Sequence, residues 1–194
     1  MSIPKLAVLV GSARQGSINQ SLAHALAKLA EGRLEFDFVP LVDLPMFNGD
    51  MENDPPAEVW TFKRRVEVAD GLLFVTPEYN RSLPPLLKNA IDWASRPWGK
   101  NSFKGKPGAV IGASPGAPGA MAAQLHLRQC VAGLEVIMMT QPEAYTQLKP
   151  GSIDDDHVIT DEGQREFLDG YVTALTAWVG RLSVPALPEP AQDD

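Results

Sequence analysis

The chain has one cysteine, Cys130, among 194 residues. That excludes an intramolecular disulfide and any iron–sulfur or zinc site built from cysteines alone. No apolar run approaches the ~18 residues needed to span a bilayer, so no membrane partner is expected. Positive charge is scarce: 17 Lys and Arg against 24 Asp and Glu give a net charge of −7. Bulk electrostatics therefore supply no reason to expect nucleic acid as a partner. The opening Met1-Ser2-Ile3-Pro4-Lys5 lacks the charged region, apolar stretch and cleavage site of a signal peptide, which makes a cytoplasmic location the expectation. What is present is ordinary globular composition, 44% hydrophobic and 21% charged, with enough length for one domain and a substantial core.

Short apolar runs punctuate the chain. Leu6-Ala7-Val8-Leu9-Val10, Gly71 to Thr76, Ala109 to Ala113 and Val136 to Met139 lack alternation, as do strands covered on both faces of a parallel sheet. Leu34 to Val39 alternates and suits a half-exposed edge strand. Helical patterns fill the gaps. Ser17-Ile18-Asn19-Gln20 has capping-box spacing ahead of Leu22, Leu26 and Leu29. Further helices are expected over about 57–69, from Pro84-Pro85 to Ala94, over 120–131 and over 162–182. Five strand–helix alternations predict a doubly wound α/β sheet. One domain is expected over residues 1–184, with the proline- and acid-rich segment 185–194 as a flexible tail. In such sheets ligands bind beyond the carboxyl ends of the strands, at the switch point of strand order. Function is therefore expected in the loops after Val10, Thr76 and Ala113.

The first of these loops, Gly11-Ser12-Ala13-Arg14-Gln15-Gly16-Ser17-Ile18-Asn19, leads from a buried strand into a helix N-terminus, a geometry suited to an anion. Ser17 stands where a P-loop has lysine, and the middle glycine of the dinucleotide fingerprint is missing, which leaves a site for a single phosphate group. A polar turn with a capping serine is the plainer alternative. In the second loop, Thr76-Pro77-Glu78-Tyr79-Asn80-Arg81-Ser82, proline stiffens the entry, and backbone groups with Tyr79 could meet a planar heterocycle. Glu78 could equally be a surface carboxylate and Tyr79 a packing residue. The third loop, Ser114-Pro115-Gly116-Ala117-Pro118-Gly119-Ala120, allows close approach to its backbone, or is simply a glycine-proline turn.

Together with Leu87-Lys88-Asn89-Ala90-Ile91-Asp92-Trp93 and Leu44-Pro45-Met46-Phe47-Asn48, the first two loops resemble the NAD(P)H-dependent FMN reductase family, closest in appearance to its bacterial chromate and quinone reductases. Gln124 to Gln129 adds to the likeness, which covers roughly residues 5–182. The resemblance implies a flavodoxin-like fold of five parallel strands in the order 2-1-3-4-5, with FMN as cofactor and NADPH or NADH as hydride donor. It places Ser12, Arg14, Ser17, Ile18 and Asn19 around the phosphate, with Gln15 and Gly16 shaping that loop. It sets Pro77, Glu78, Tyr79 and Asn80 along the isoalloxazine ring, and Ser114 and Gly116 beside it. It also implies a homodimer or homotetramer, for which Asp92, Trp93 and the Met46-Phe47-Asn48 loop are candidate contacts.

The expected activity is hydride transfer from the nicotinamide through FMN to an acceptor such as a quinone, flavin, azo compound or chromate. The cofactor carries that chemistry, so no catalytic side chain is assigned. A flavodoxin-type electron carrier and a non-enzymatic flavin-binding module are the alternatives. No metal site is expected. Asp154-Asp155-Asp156-His157 lacks the glycine and spacing of a calcium loop and reads as a solvated acidic turn. His24, His126, Cys130 and the four tryptophans read as packing or surface residues.

Overall fold

Residues 2–182 are described by a computed structural model; the expected tail, 185–194, lies outside the described residues. Strands β1 (Lys5–Val10), β2 (Glu35–Phe38), β3 (Gly71–Val75) and β4 (Pro107–Ser114) run in parallel in the order β2-β1-β3-β4. The chain moves outward from β1 to β2 and returns to the other side of β1 as β3. That reversal is the switch point, and it lies between the loops after β1 and β3.

The continuous apolar runs are explained by two cores. Side chains alternate across a strand, so Leu6, Val8 and Val10 enter one core while Ala7 and Leu9 enter the other. Leu73 and Val75 join the first, Leu72 and Phe74 the second. Helices α1 (Ile18–Leu29) and α5 (Glu162–Leu182) cover the first face. Helices α2 (Ala57–Val68), α3 (Pro85–Ala94) and α4 (Met121–Ala132) cover the second. Each fully buried Leu or Phe in these cores contributes about 1.5–3 kcal/mol.

The fifth strand departs from expectation. Val136 to Met139 predicted a run buried on both faces, but only Ile137–Met138 forms a strand, β5, paired with Pro107 and Gly108. Ile137 is 40% exposed, whereas Val136 and Met139 point inward, so this is an edge with one wet side. Pro142, which has no N–H to give a ladder, lies in the segment that leaves the sheet. The chain re-enters as a sixth strand, β6 (Tyr145–Gln147), parallel to Gly112–Ser114. The fifth position of the sheet is thus filled in two pieces, the second of them beside the carboxyl end of β4.

Two polar residues expected to mark the family turn out to organise the loop after β2. Asn89 accepts from Phe47 N (2.7 Å) and donates to Pro45 O (3.0 Å). Trp93 donates from Nε1 to Pro45 O at 2.7 Å and packs edge-on against Phe47. Trp93 is fully buried inside its own chain, so it offers no surface to a partner subunit. Asp92 is engaged by Lys88. Lys63, 1% exposed, donates to Ala94 O (3.0 Å) and Lys100 O (2.9 Å), holding the chain around the end of α3. Burial pushes its pKa down to about 8.

A braced anion site at the switch point

The loop after β1 continues the sheet by one bond, Gly11 N to Val75 O at 2.8 Å, and then turns away. From Ser12 to Asn19 no main-chain N–H has a hydrogen-bond partner among the described residues. Only at Gln20 does bonding resume, with its N–H donating to the Ser17 hydroxyl (3.4 Å), the N-cap of α1. Ala13 to Gly16 are exposed, while Ser12 and Ser17 are buried. Gly16 turns the loop at φ 64°, a left-handed conformation that glycine takes without strain. Arg14 folds over the loop and donates to Gly16 O at 3.0 Å. Such a run of open donors at a helix N-terminus, with a guanidinium above it, has the chemistry of an anion receptor.

Asn19 plays a different part from its neighbours. It is 2% exposed, and its amide donates to Ala113 O and accepts from Ala113 N, both at 2.9 Å. The side chain therefore ties the start of α1 to the carboxyl end of β4, leaving the main-chain N–H and one amide hydrogen for a ligand. Gln20 reinforces the loop from behind through Nε2 to Ser12 O (2.9 Å).

The second loop is held as firmly. Tyr79 and Ser82 exchange N–H···O bonds of 3.0 Å, closing a two-residue turn whose central residues, Asn80 and Arg81, have φ 51° and 64°. Two positive φ values are the mark of the primed hairpin turn, in which asparagine at the first position is usual and glycine at the second. An arginine in the second position bears roughly 1–2 kcal/mol of backbone cost that glycine would not. Tyr79 stands 47% exposed beside it. The carboxylate of Glu78 accepts from Ala122 N (2.9 Å) and Ala123 N (3.2 Å). The N-cap of α4, Ala120, is left-handed and has no capping side chain of its own, so Glu78 supplies the cap across 44 residues. Ser82 Oγ lies 2.8 Å from His126 Nδ1, a second link to α4.

In the third loop Ser114 Oγ donates to Gly116 O (2.8 Å), and Gln147 Nε2 to Pro115 O (2.9 Å). Residues 115–118 face solvent. Backbone crowding fixes two glycines here. A Cβ on Gly112 would lie 2.2 Å from Thr76 O, and one on Gly119 2.4 Å from the carbonyl carbon of Tyr145. A Cβ on Gly116 would only make ordinary contacts, 3.6 Å from Pro118 Cδ and 3.7 Å from Ser114 Oγ.

All three expected loops thus lie at the carboxyl ends of β1, β3 and β4, and they are cross-braced. Gly11 joins the first to β3, Asn19 joins the first to β4, and Glu78 joins the second to the helix after the third. The bracing roles of Asn19, Gln20 and Glu78 have no local signature. The one sequence hint is negative: Pro118-Gly119-Ala120 contains no capping side chain for the helix that follows. Away from this site, Cys130 is half-buried, and burial pushes its thiol pKa up, as befits a packing residue. Among the described residues no group of His, Cys, Asp and Glu could hold a metal ion.

A doubly wound parallel sheet of this strand order, with its loops gathered at the switch point, is flavodoxin-like. The sequence matches the NADPH-dependent FMN reductase family over residues 4–149, and the chain belongs to that family. It is 49% identical to a 2-hydroxy-1,4-benzoquinone reductase of a Burkholderia species over 175 residues, 90% of this chain and 96% of that protein. Identity to a quinone reductase of Pseudomonas putida is 42% over 90% of this chain and 94% of the other. Among solved structures, the flavoenzyme NAD(P)H:(acceptor) oxidoreductase FerB from Paracoccus denitrificans superposes with a TM-score of 0.89 at 47% identity, covering 92% of this chain and 98% of that one. The chain is therefore an oxidoreductase with FMN as cofactor and NAD(P)H as donor. No helix among the described residues is long and apolar enough to cross a membrane.

Proposed function

We propose that the chain reduces quinones with NAD(P)H at a flavin held in the braced crevice, and that it works as a homodimer or homotetramer in the cytoplasm, where the nicotinamide is available. The observation that carries this is the unpartnered run of N–H groups from Ser12 to Asn19. It fits one phosphate, and Arg14 adds a charge-assisted donor. Ser12, Gln15, Gly16, Ser17, Ile18 and Asn19 complete the phosphate grip. Pro77, Glu78, Tyr79 and Asn80 would line the ring, with Ser114 and Gly116 closing from the third loop. When bound, FMN supplies two-electron chemistry; the chain binds, orients and positions. The doubly bonded turn at Tyr79–Ser82 would hold the ring-lining residues in place, and Asn19 and Glu78 would keep the three loops from spreading. The quinone assignment draws on the names of the Burkholderia and Pseudomonas relatives. Exposed Met46 (70%) and Trp98 (85%) provide apolar surface for subunit contact.

The test is a flavin titration followed by anaerobic mixing. The protein should bind about one FMN per chain and hold riboflavin at least about tenfold more weakly, since riboflavin lacks the group the first loop grips. NADPH or NADH should then bleach the bound flavin, and a benzoquinone should restore its colour. Equal affinity for the two flavins, or a flavin inert to both nicotinamides, would overturn the proposal.

A further inference from the structure

Arg81 combines three features. It occupies the second position of the primed turn at φ 64°, where glycine would sit without strain. It is exposed, and it makes no hydrogen bond or ion pair with any described residue. It is an unneutralised cation on a chain of net charge −7. Arg33, Arg65 and Arg128 are each held by a carboxylate or a carbonyl of the fold, and the similarly free Arg64 and Arg181 sit on helices α2 and α5, not on a loop at the carboxyl end of the sheet.

The backbone beneath Arg81 is fixed although its side chain is free. The Tyr79–Ser82 bonds close the turn, while Glu78 and Ser82 on either side of it are anchored to α4. A rigid base with an unspent guanidinium is the arrangement expected of a group that meets a ligand from solvent. The other arginine at this end of the sheet, Arg14, is folded onto its own loop beside the receptor for a single phosphate. A second anion arriving at the same mouth finds Arg81.

We propose that Arg81 recognises the phosphate groups of the nicotinamide dinucleotide. The inference rests on the reductase reading above, because the dinucleotide is the substrate that must reach this mouth and its pyrophosphate is its fixed negative charge. A guanidinium can grip two phosphate oxygens at once, which lysine, a point charge, cannot. The strained turn is retained because glycine, the residue the turn prefers, has nothing to offer that anion.

The experiment compares wild type with Arg81→Gly, a substitution that keeps the turn, both loaded with FMN. NADPH and NADH are run against 1-benzyl-1,4-dihydronicotinamide, which carries the reacting ring and no phosphate. The variant should raise KM for both dinucleotides by about tenfold or more, with kcat little changed. It should leave the phosphate-free donor unaffected. ADP-ribose, which undergoes no redox chemistry, should bind the variant about tenfold more weakly by calorimetry. Arg81→Lys should recover only part of both losses. Unchanged KM and ADP-ribose binding would overturn the proposal. So would an equal loss with the phosphate-free donor, which would make Arg81 a support for the turn alone. If wild type loaded with FMN is bleached by none of the three donors, the reductase reading itself fails, and Arg81 loses its role with it.

Discussion

Replacing Asn19 with alanine isolates the brace between α1 and β4. The side chain is buried and makes two 2.9 Å bonds to the main chain of Ala113, one as donor and one as acceptor. Alanine leaves the N–H and the C=O of Ala113 unpartnered in a site that water reaches poorly. Each such orphan costs about 1–3 kcal/mol, and methyl-sized packing recovers little. The combined loss should be roughly 2–4 kcal/mol. For a chain of this size 1 kcal/mol moves Tm by about 2–4 °C, so the flavin-free protein should melt roughly 5–15 °C lower. Guanidinium unfolding should show a lower midpoint at constant slope. FMN affinity should fall too, because the first loop loses its fixed distance from the third. The two readouts separate two roles. An Asn19→Ala protein with undiminished stability and weakened flavin binding would show that the amide serves the phosphate and that the brace contributes nothing. Asn19→Asp, which keeps an acceptor for Ala113 N and places negative charge at a helix N-terminus, should recover part of the stability.

Glu78→Ala should lower stability by about 1–2 kcal/mol, because α4 loses the side-chain cap that Glu78 gives it. Glu78→Gln should lose less, and amide exchange at Ala122 and Ala123 should quicken in the alanine variant; exchange at wild-type rates would refute the capping role. Protonation of His24 should destabilise the fold. Burial, and then the neighbouring His157, hold its pKa below the ordinary 6.5. The unfolded chain therefore takes up the proton first, and the contribution of His24 is complete above pH 6.5 and lost as pH falls through the lower folded value. Denaturant midpoints between pH 7.5 and 5 should fall more steeply for wild type than for His24→Phe, a ring that keeps the stack on Phe38. Parallel slopes would remove His24 as a source of acid sensitivity.

What could be read from the sequence follows the range of the interactions. The strands at Leu6 and Gly71 are visible because residues adjacent in the chain enter two cores, which forces an unbroken apolar run. The loops are visible because Gly11, Pro77 and the prolines after Ser82 punctuate those runs. Ser17 was legible as a cap because its partner, Gln20, is three residues away. Asn19 and Glu78 act across 94 and 44 residues, and no local pattern encodes such a meeting. The fifth strand differs from its apolar pattern because apolarity alone does not separate a covered strand from an edge strand with one wet side. The resemblance marks Trp93 as a candidate contact, and only the position of Pro45 O, reached from 48 residues away, shows that its polar edge is already used inside the chain.

The split of the fifth strand has a consequence for how copies of this chain can meet. A sheet propagates into aggregates through a long, flat, unpaired edge. Here one outer edge is a two-residue strand and a three-residue strand separated by a segment containing Pro142. The opposite edge is the four-residue β2, where Lys5 and Arg65 engage the carboxylates of Glu35 and Asp37. The first edge is interrupted and the second spans only four residues. Short edges of this kind disfavour strand addition at both ends, which leaves helix faces and loops as the broad surfaces this fold presents.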